Sequence, residues 1–579
     1  MDKNGSLPAS AALPRQPDGR DRVNDAITFL DALTLELDTV VDLPAPNPFL
    51  RIACYLMRAH LEARLVTPSS AVAAAGVPYA TGVRRLNEMI AAGYVDQRPR
   101  SKTGKTYTVH PSETLIARFT EFGDRLPRIA RDSLGLKTSE DYFFSASYRG
   151  TQIIQPPKAL ARPLQVSGGV RVLVHADPTF MVMGNLKRRF ENVVGTTITQ
   201  RAFSIDRLRL EALRNAERKV SRYDVIALDL PWLGEFVARG VLLPLAAALD
   251  VERLDPADFH PAGWQAACWG GVPYGVPNQT TPELLFYRRD LFAEAGLGEP
   301  RTTDDVLAAA AHFHNPGRGR YGIAWNAARG TALGHTFMMV CAAFGQPVLD
   351  LRPIAGGFDA TAVASTRHRP TIDTPRALEA AHYLLELLRF SPPDILSMSW
   401  YERVRPYAAG KVAMAYGYTL LAPYFELDEI SPAHSQTGYL PHPAGAGAAN
   451  IAPIGGYVLG IPANVAPERR EAAAEALIAF NSPEAQKLYV INGSRTAPRF
   501  SVGADPEVRR LSSIFQAVEE MSLRDELQFW PRPPIPEITD MIQICGEELH
   551  DMLRGVLSPA EALSRAQDRA DALFTRTNE

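Results

Sequence analysis

The 579-residue chain lacks any run of about 18 consecutive apolar residues, which excludes a conventional membrane-spanning helix. It is poor in cysteine. Cys54, Cys268, Cys341 and Cys545 fall in no CxxC or other metal spacing, so reduced thiols are expected rather than a disulfide framework. The start, MDKNGSLPASAALPRQPDGRD, has no seven-residue apolar core and is broken by proline and glycine. That reads as neither a signal peptide nor an anchor, and the expected location is the cytoplasm. No GxSxG nucleophile elbow, phosphate-cradling P-loop or HExxH zinc motif occurs, and His312 and His314 in HFH lack further ligands at metal spacing. Carboxylates abound, so a glycosidase pair is not formally excluded, but the residues point to binding, with no catalytic residue, metal or cofactor assigned.

What is present divides the chain. Net charge is −3 overall, yet residues 47–150 carry 15 Lys/Arg against 9 Asp/Glu, while residues 151–579 carry 42 against 47. A local basic excess beside a mildly acidic bulk suits a nucleic-acid module attached to a larger neutral one. The organisation expected is a disordered 1–22, a first domain over 23–134, a linker over 135–169 rich in proline and glycine, and a larger domain over 170–579.

In the first domain Ala26, Leu30, Leu33, Leu37 and Val40 repeat at helical spacing, as do Leu115, Phe119, Phe122, Leu126 and Ile129, although Pro127 should kink the second stripe. Between them a helix over 48–65 precedes a short helix capped by Thr67 and closed at Gly76. A second helix runs from Pro78 to about Ala92, with Val83, Leu86 and Ile90 inward and Thr81, Arg84, Arg85 and Glu88 outward. Two short β runs follow, joined by a turn at Thr103-Gly104 that gathers Arg98, Arg100, Lys102 and Lys105. Arginines near a helix start suit base reading in a major groove, and the basic hairpin suits phosphate or minor-groove contact.

This order resembles the winged helix-turn-helix of MarR-type transcription regulators. The resemblance implies a mostly α domain that binds double-stranded operator DNA as a homodimer through its flanking helices. The DNA-facing residues would be Thr67, Ser69, Tyr79, Thr81, Arg84, Arg85, Arg98, Arg100, Lys102 and Lys105.

From Val170 onward β-rich runs (VRVLV, YDVIALDL, YGIAW, KVAMAYGY, YVLGI) alternate with helical patterns, an α/β signature. The segments YDVIALDLPWLGEFVARGVLLPL, WGGVPYGVPNQTTPELLFYRRDLFAEAGL and IAPIGGYVLGIPANVAPERREAAAEALIAFNSPEAQKLY resemble the sugar-binding extracellular solute-binding proteins of bacterial ABC importers. That implies a two-lobed fold of the type II periplasmic-binding kind, with a small sugar-like solute between the lobes. Ligands of open α/β sheets sit beyond the carboxyl ends of strands. The candidates there are His175, Asp177, Asp229, Trp232, Asn278, Gln279, Thr280, Trp325, Arg329, Tyr416, Tyr418, Gly456, Tyr457, Trp530 and Arg532. Aromatic faces with amides and carboxylates suit a polyhydroxylated ligand, while Arg329 or Arg532 would suit a carboxylate or phosphate. Together the two resemblances imply a one-component regulator whose DNA binding is set by a solute. The alternatives are a solute-binding protein whose winged helix contacts another protein, and an importer component.

Overall fold

In the computed structural model, the described residues are Ile27, 47–61, 64–99, 107–120, 122, 164 and 166–576 apart from 366. The expected helix over 24–41 apart from Ile27, the turn at 103–104, Arg100, Lys102 and Lys105, and all of 123–163 lie outside them. The chain divides into two compact units, residues 1–141 and 142–579. Each has its own apolar core.

In the first unit, helices α1 (Pro48–Leu61), α2 (Pro68–Ala74) and α3 (Tyr79–Ala91) are followed by strands β1 (Val95–Pro99) and β2 (Tyr107–Pro111), paired antiparallel with Val95 opposite Pro111. Thr67 and Ser70 form a reciprocal capping box that starts α2. Gly76 turns the chain at φ +67°, a left-handed conformation that glycine adopts at little cost. The buried side of α3 is Gly82, Leu86 and Met89, so it is rotated from the expected Val83–Leu86–Ile90 stripe. The cause is Gly82, which lets α3 approach α2 so closely that a Cβ there would lie 2.8 Å from Val72 Cγ1. Phe49, Leu50, Met89, Leu115, Phe119 and Phe122 line an open apolar groove of this unit.

The second unit contains two sheets. Lobe 1 has strands β3 (Val170–His175), β4 (Ile198–Phe203) and β5 (Val225–Asp229), with β6 (Val276–Pro277) and the later β12 (Tyr457–Gly460). Their order is β4-β3-β5-β12-β6. Strands β3, β4 and β5 are parallel, joined through helices that include α4 (Pro178–Asn185) and α5 (Ile205–Ala216). Lobe 2 has β7 (Thr281–Arg288), β8 (Tyr321–Ala324), β9 (Val412–Tyr418), β10 (Thr437–Leu440), β11 (Ala452–Gly455) and β13 (Leu527–Gln528). Their order is β8-β9-β7-β11-β13, with β10 also on β7. Strand β12 (Tyr457–Gly460) returns the chain to lobe 1, antiparallel to β5. The strands β5, β7 and β9 are buried along their whole length, as continuous apolar runs in sheets covered on both faces should be.

The chain therefore crosses between lobes at 278–281 and again at 455–457, side by side: Gly455 pairs with Thr281. Gly456, at φ +111°, sits so close to the first crossing that a Cβ would lie 2.5 Å from Gln279 O. No other residue fits both the torsion and the gap.

Helices α6 (Thr331–Ala343) and α7 (Ile538–Leu553) pack backbone to backbone in lobe 2 through Gly334 and Gly546. A methyl on Gly334 would overlap Ile542 O. Gly334→Ala is expected to cost about 1–3 kcal/mol or more in denaturant unfolding. Gly298→Ala, where an added methyl meets nothing within 4 Å, should leave stability unchanged within about 0.5 kcal/mol. Equal effects would contradict the close crossing. No described helix is long and apolar enough to cross a membrane.

Candidate functional site

The cavity lies where the two lobes meet. Its inner part, about 70 Å³, is lined by His175, Asp229 and Tyr457 from lobe 1 and its hinge, and by His335, Tyr418 and Arg532 from lobe 2. It continues into an outer part of about 210 Å³ that reaches Arg209 and Trp232 and shares Ile205, Asp229, His335 and Trp400 with the inner one.

Lobe 1 supplies its groups from strand ends. His175 closes β3, and its Nδ1 lies 3.2 Å from Asp177 Oδ2. Its ring stacks on Tyr457, centroids 4.7 Å apart and planes 21° from parallel. Asp177 is committed elsewhere. Its Oδ1 accepts from Thr179 N and Phe180 N at the start of α4, and both carboxylate oxygens accept from Gln279 Nε2 at 2.9–3.0 Å. Asp229 closes β5 and faces the cavity. Burial pushes its carboxyl up to about 6, against the pull of Arg532, His175 and the Leu230 N–H.

Lobe 2 supplies an arginine, a histidine and aromatic rings. Arg532 Nη1 donates to His335 Nδ1 at 2.7 Å and Nη2 donates to Ile454 O at 2.8 Å. Because arginine cannot accept, His335 Nδ1 must be the acceptor. Burial, then the charge of Arg532, holds the His335 pKa well below its ordinary value, so the ring is neutral and Nε2 carries the proton. Trp400 meets His335 edge to face at 4.8 Å. Tyr418, at the end of β9, lies beneath two guanidiniums, Arg403 at 5.3 Å and Arg532 at 5.8 Å from its ring centre. Behind it Arg403 pairs with Glu283, and His442 Nε2 lies 3.3 Å from the other carboxylate oxygen. Burial pushes the Glu283 carboxyl up, but Arg403 and His442 more than reverse this and hold it at about 2.

Of the residues expected from sequence, His175, Asp229, Trp232, Tyr418, Gly456, Tyr457 and Arg532 line this cavity. The others do not. Asp177, Asn278 and Gln279 are buried in the first crossing, where Asn278 Nδ2 donates to Asn481 Oδ1. Thr280 borders a different, smaller cavity with His260. Trp325 is in the lobe 2 core, its Nε1 donating to Ser391 Oγ. Arg329 is 51% exposed and pairs with Asp551. Tyr416 sits deeper on β9 than Tyr418, shares a hydrogen bond with Tyr383 and stacks on His442. Trp530 is buried against Phe358. Sequence reasoning missed Ile205, Thr281, His335, Trp400, Tyr401, Leu420, Leu421 and Gly455.

In the first unit, Arg84 projects from α3 with 65% of its side chain exposed, near Glu88. Arg85 is held down instead: Nη1 donates to Glu88 Oε2 at 2.8 Å and its guanidinium lies 5.0 Å over the Phe49 ring. Tyr79 and Arg98 are exposed, Thr81 half-buried, and Thr67 and Ser70 are occupied by the α2 cap beside Ser69.

Residues 142–579 thus contain the two-lobed α/β fold of solute-binding proteins, and residues 209–487 match the family of bacterial extracellular solute-binding proteins. The mannitol-binding protein of Pseudomonas aeruginosa is 24% identical over 302 residues, 51% of this chain and 63% of that protein. The match therefore spans less than two thirds of that relative. An ABC-transporter solute-binding protein from Agrobacterium radiobacter K84, solved with ribitol, shares the fold at a TM-score of 0.63 and 24% identity, covering 71% of this chain and all of that one. One from Agrobacterium vitis S4, solved with D-mannitol, gives 0.59 at 19% identity over 70% of this chain and 98% of its own. A maltose-bound protein of T. maritima gives 0.60 at 21% identity over 70% and 99%.

Proposed function

We propose that the second unit binds a small polyhydroxylated solute, a polyol or sugar derivative, between its lobes. The observation that carries this is the facing of Asp229 and Arg532 across a cavity bounded by the rings of Tyr418, Tyr457 and Trp400. Rings cover C–H faces while the charged groups take hydroxyls. Solved relatives of this fold hold ribitol and D-mannitol, which supports the ligand class. A ligand that binds only the folded state raises the unfolding temperature, by about 2.7 kcal/mol of stability at a hundredfold excess over Kd. Thermal unfolding of the full chain with ribitol, D-mannitol, maltose and their oxidised acids should show a shift with at least one. No shift with any sugar, polyol or sugar acid would overturn the reading.

A second reading concerns the first unit. The helix pair α2–α3, the Gly76 turn, the antiparallel hairpin and the exposed Arg84 support winged-helix DNA recognition. Dimerisation through the groove at Leu115 and Phe119, a cytoplasmic location, and control of an operator by the bound solute belong to this reading. The importer-component reading shares the solute site without the DNA. Gel-shift titration separates them. DNA binding that falls steeply with salt, as counter-ion release requires, and loses sequence preference in Arg84→Ala supports regulation. Arg85→Ala should instead lower stability by about 1 kcal/mol, through lost packing on Phe49. Salt-independent or absent DNA binding would remove the second reading and leave the first.

A further inference from the structure

The two walls of the cavity are unlike in hydrogen-bonding character. Arg532 is only 6% exposed, and among the described residues none of its partners is an anion. Nη1 is taken by neutral His335, Nη2 by a backbone carbonyl, and Nε has no partner among the described residues. The other buried guanidinium beside Tyr418, that of Arg403, has Glu283. Among the described residues Arg532 has no carboxylate in contact, although it interacts through charge with Asp229. Asp229 lies on the opposite wall of the cavity, with no hydrogen bond to Arg532 among the described residues.

The neighbours of Arg532 on the lobe 2 wall also present donors. His335 carries its proton on Nε2, because Nδ1 is used in accepting from Arg532. The Tyr418 hydroxyl is buried without a partner among the described residues. An alcohol group both donates and accepts, and a wall built for alcohols would offer both. A wall of a buried cation with no carboxylate in contact, an N–H and a phenol suits a group that only accepts and brings negative charge.

Resting on the reading of a polyhydroxylated solute, we propose that the ligand is a polyhydroxy carboxylic acid, its carboxylate seated on Arg532, His335 and Tyr418 and its hydroxyls turned toward Asp229. A singly charged carboxylate matches a guanidinium that has no carboxylate in contact. A phosphate dianion would bring a second negative charge to a wall that offers no further cation among the described residues, with Asp229 across the cavity.

The experiment is calorimetric titration of the full chain at pH 7.5 with matched probes: ribitol and D-ribonate, D-mannitol and D-mannonate, and D-mannitol 1-phosphate. The expected result is that an acid binds at least about tenfold more tightly than its parent alcohol and than the phosphate. In Arg532→Gln that preference should collapse to within about threefold. Tyr418→Phe, which removes one oxygen and keeps the ring, should weaken the acid about five- to tenfold more than it weakens the parent alcohol, and it reads the same point if Arg532→Gln does not fold. An alcohol binding as tightly as its acid, or the phosphate binding tightest, would overturn this assignment while leaving the polyhydroxylated-solute reading intact. Binding of none of the five would overturn this assignment, and with no thermal shift from maltose or any other sugar it would overturn both.

Discussion

Arg403→Met is expected to remove about 3–5 kcal/mol of folding stability at pH 7, the cost of leaving a buried carboxylate without its counter-ion. Arg403 is fully buried and forms the ion pair that holds Glu283 at about 2. The sign follows from that lowered value. A carboxyl whose folded value lies below its ordinary 4.5 contributes stability that is present above about pH 4.5 and is lost as pH falls through about 2. Without Arg403, burial is opposed by His442 alone, and the Glu283 carboxyl protonates more readily. The penalty of the variant should therefore be largest near pH 7 and shrink toward pH 4. Glu283→Gln added to Arg403→Met should restore much of the loss, because it removes the buried carboxylate that the single variant leaves without its counter-ion. Denaturant unfolding at the two pH values measures all three variants. A double variant as unstable as the single one would show that the ion pair is not what Arg403 supplies.

Asp229→Asn is expected to weaken solute binding about 10–100-fold while raising the stability of the ligand-free protein. The two effects share one cause. Asp229 is buried in the cavity wall and its carboxyl sits near 6. A folded value raised above the ordinary 3.8 means the stability it contributes is present below about pH 4 and is lost as pH rises through about 6. At pH 7 the ionised group is a burden of up to about 3 kcal/mol, since each tenfold gain in proton affinity on folding is worth about 1.4 kcal/mol. The amide removes that burden but also the charge that would accept solute hydroxyls. Thermal unfolding without ligand and calorimetry with it test the pair. Stability and affinity falling together would place Asp229 in the fold rather than in binding.

The fold was largely legible because its signals are local. VRVLV, YDVIALD and KVAMAYGY became β3, β5 and β9, and Thr67 and Gly76 bracket α2. The site was legible only in part. Strand ends show where the chain turns toward the cleft, but not which side chain looks out of it. Tyr416 and Tyr418 share a strand face, and only their depth separates core from cavity. Asn278 and Gln279 stand at the crossing, yet Gln279 turns inward because Asp177, fixed as the cap of α4, needs donors. His335 was hidden because every residue of α6 from Ala332 to Ala343 is buried, so no amphipathic pattern marks it. Trp400 comes from an irregular loop brought to the cavity by tertiary packing alone. The strongest sequence signals for DNA contact suffered similarly: Arg84 and Arg85 are adjacent, but Phe49, far earlier in the chain, captures only Arg85.

The central claim, a solute held between the lobes, is tested most directly by hydrogen exchange on the full chain with and without the tightest of the five titrated probes. Slowed exchange is predicted at once on both walls, around Asp229–Trp232 in lobe 1 and around Phe529–Ile535 in lobe 2, and it should vanish in Asp229→Asn at the same probe concentration. Protection confined to one lobe, or heat of binding with neither wall protected, would contradict it.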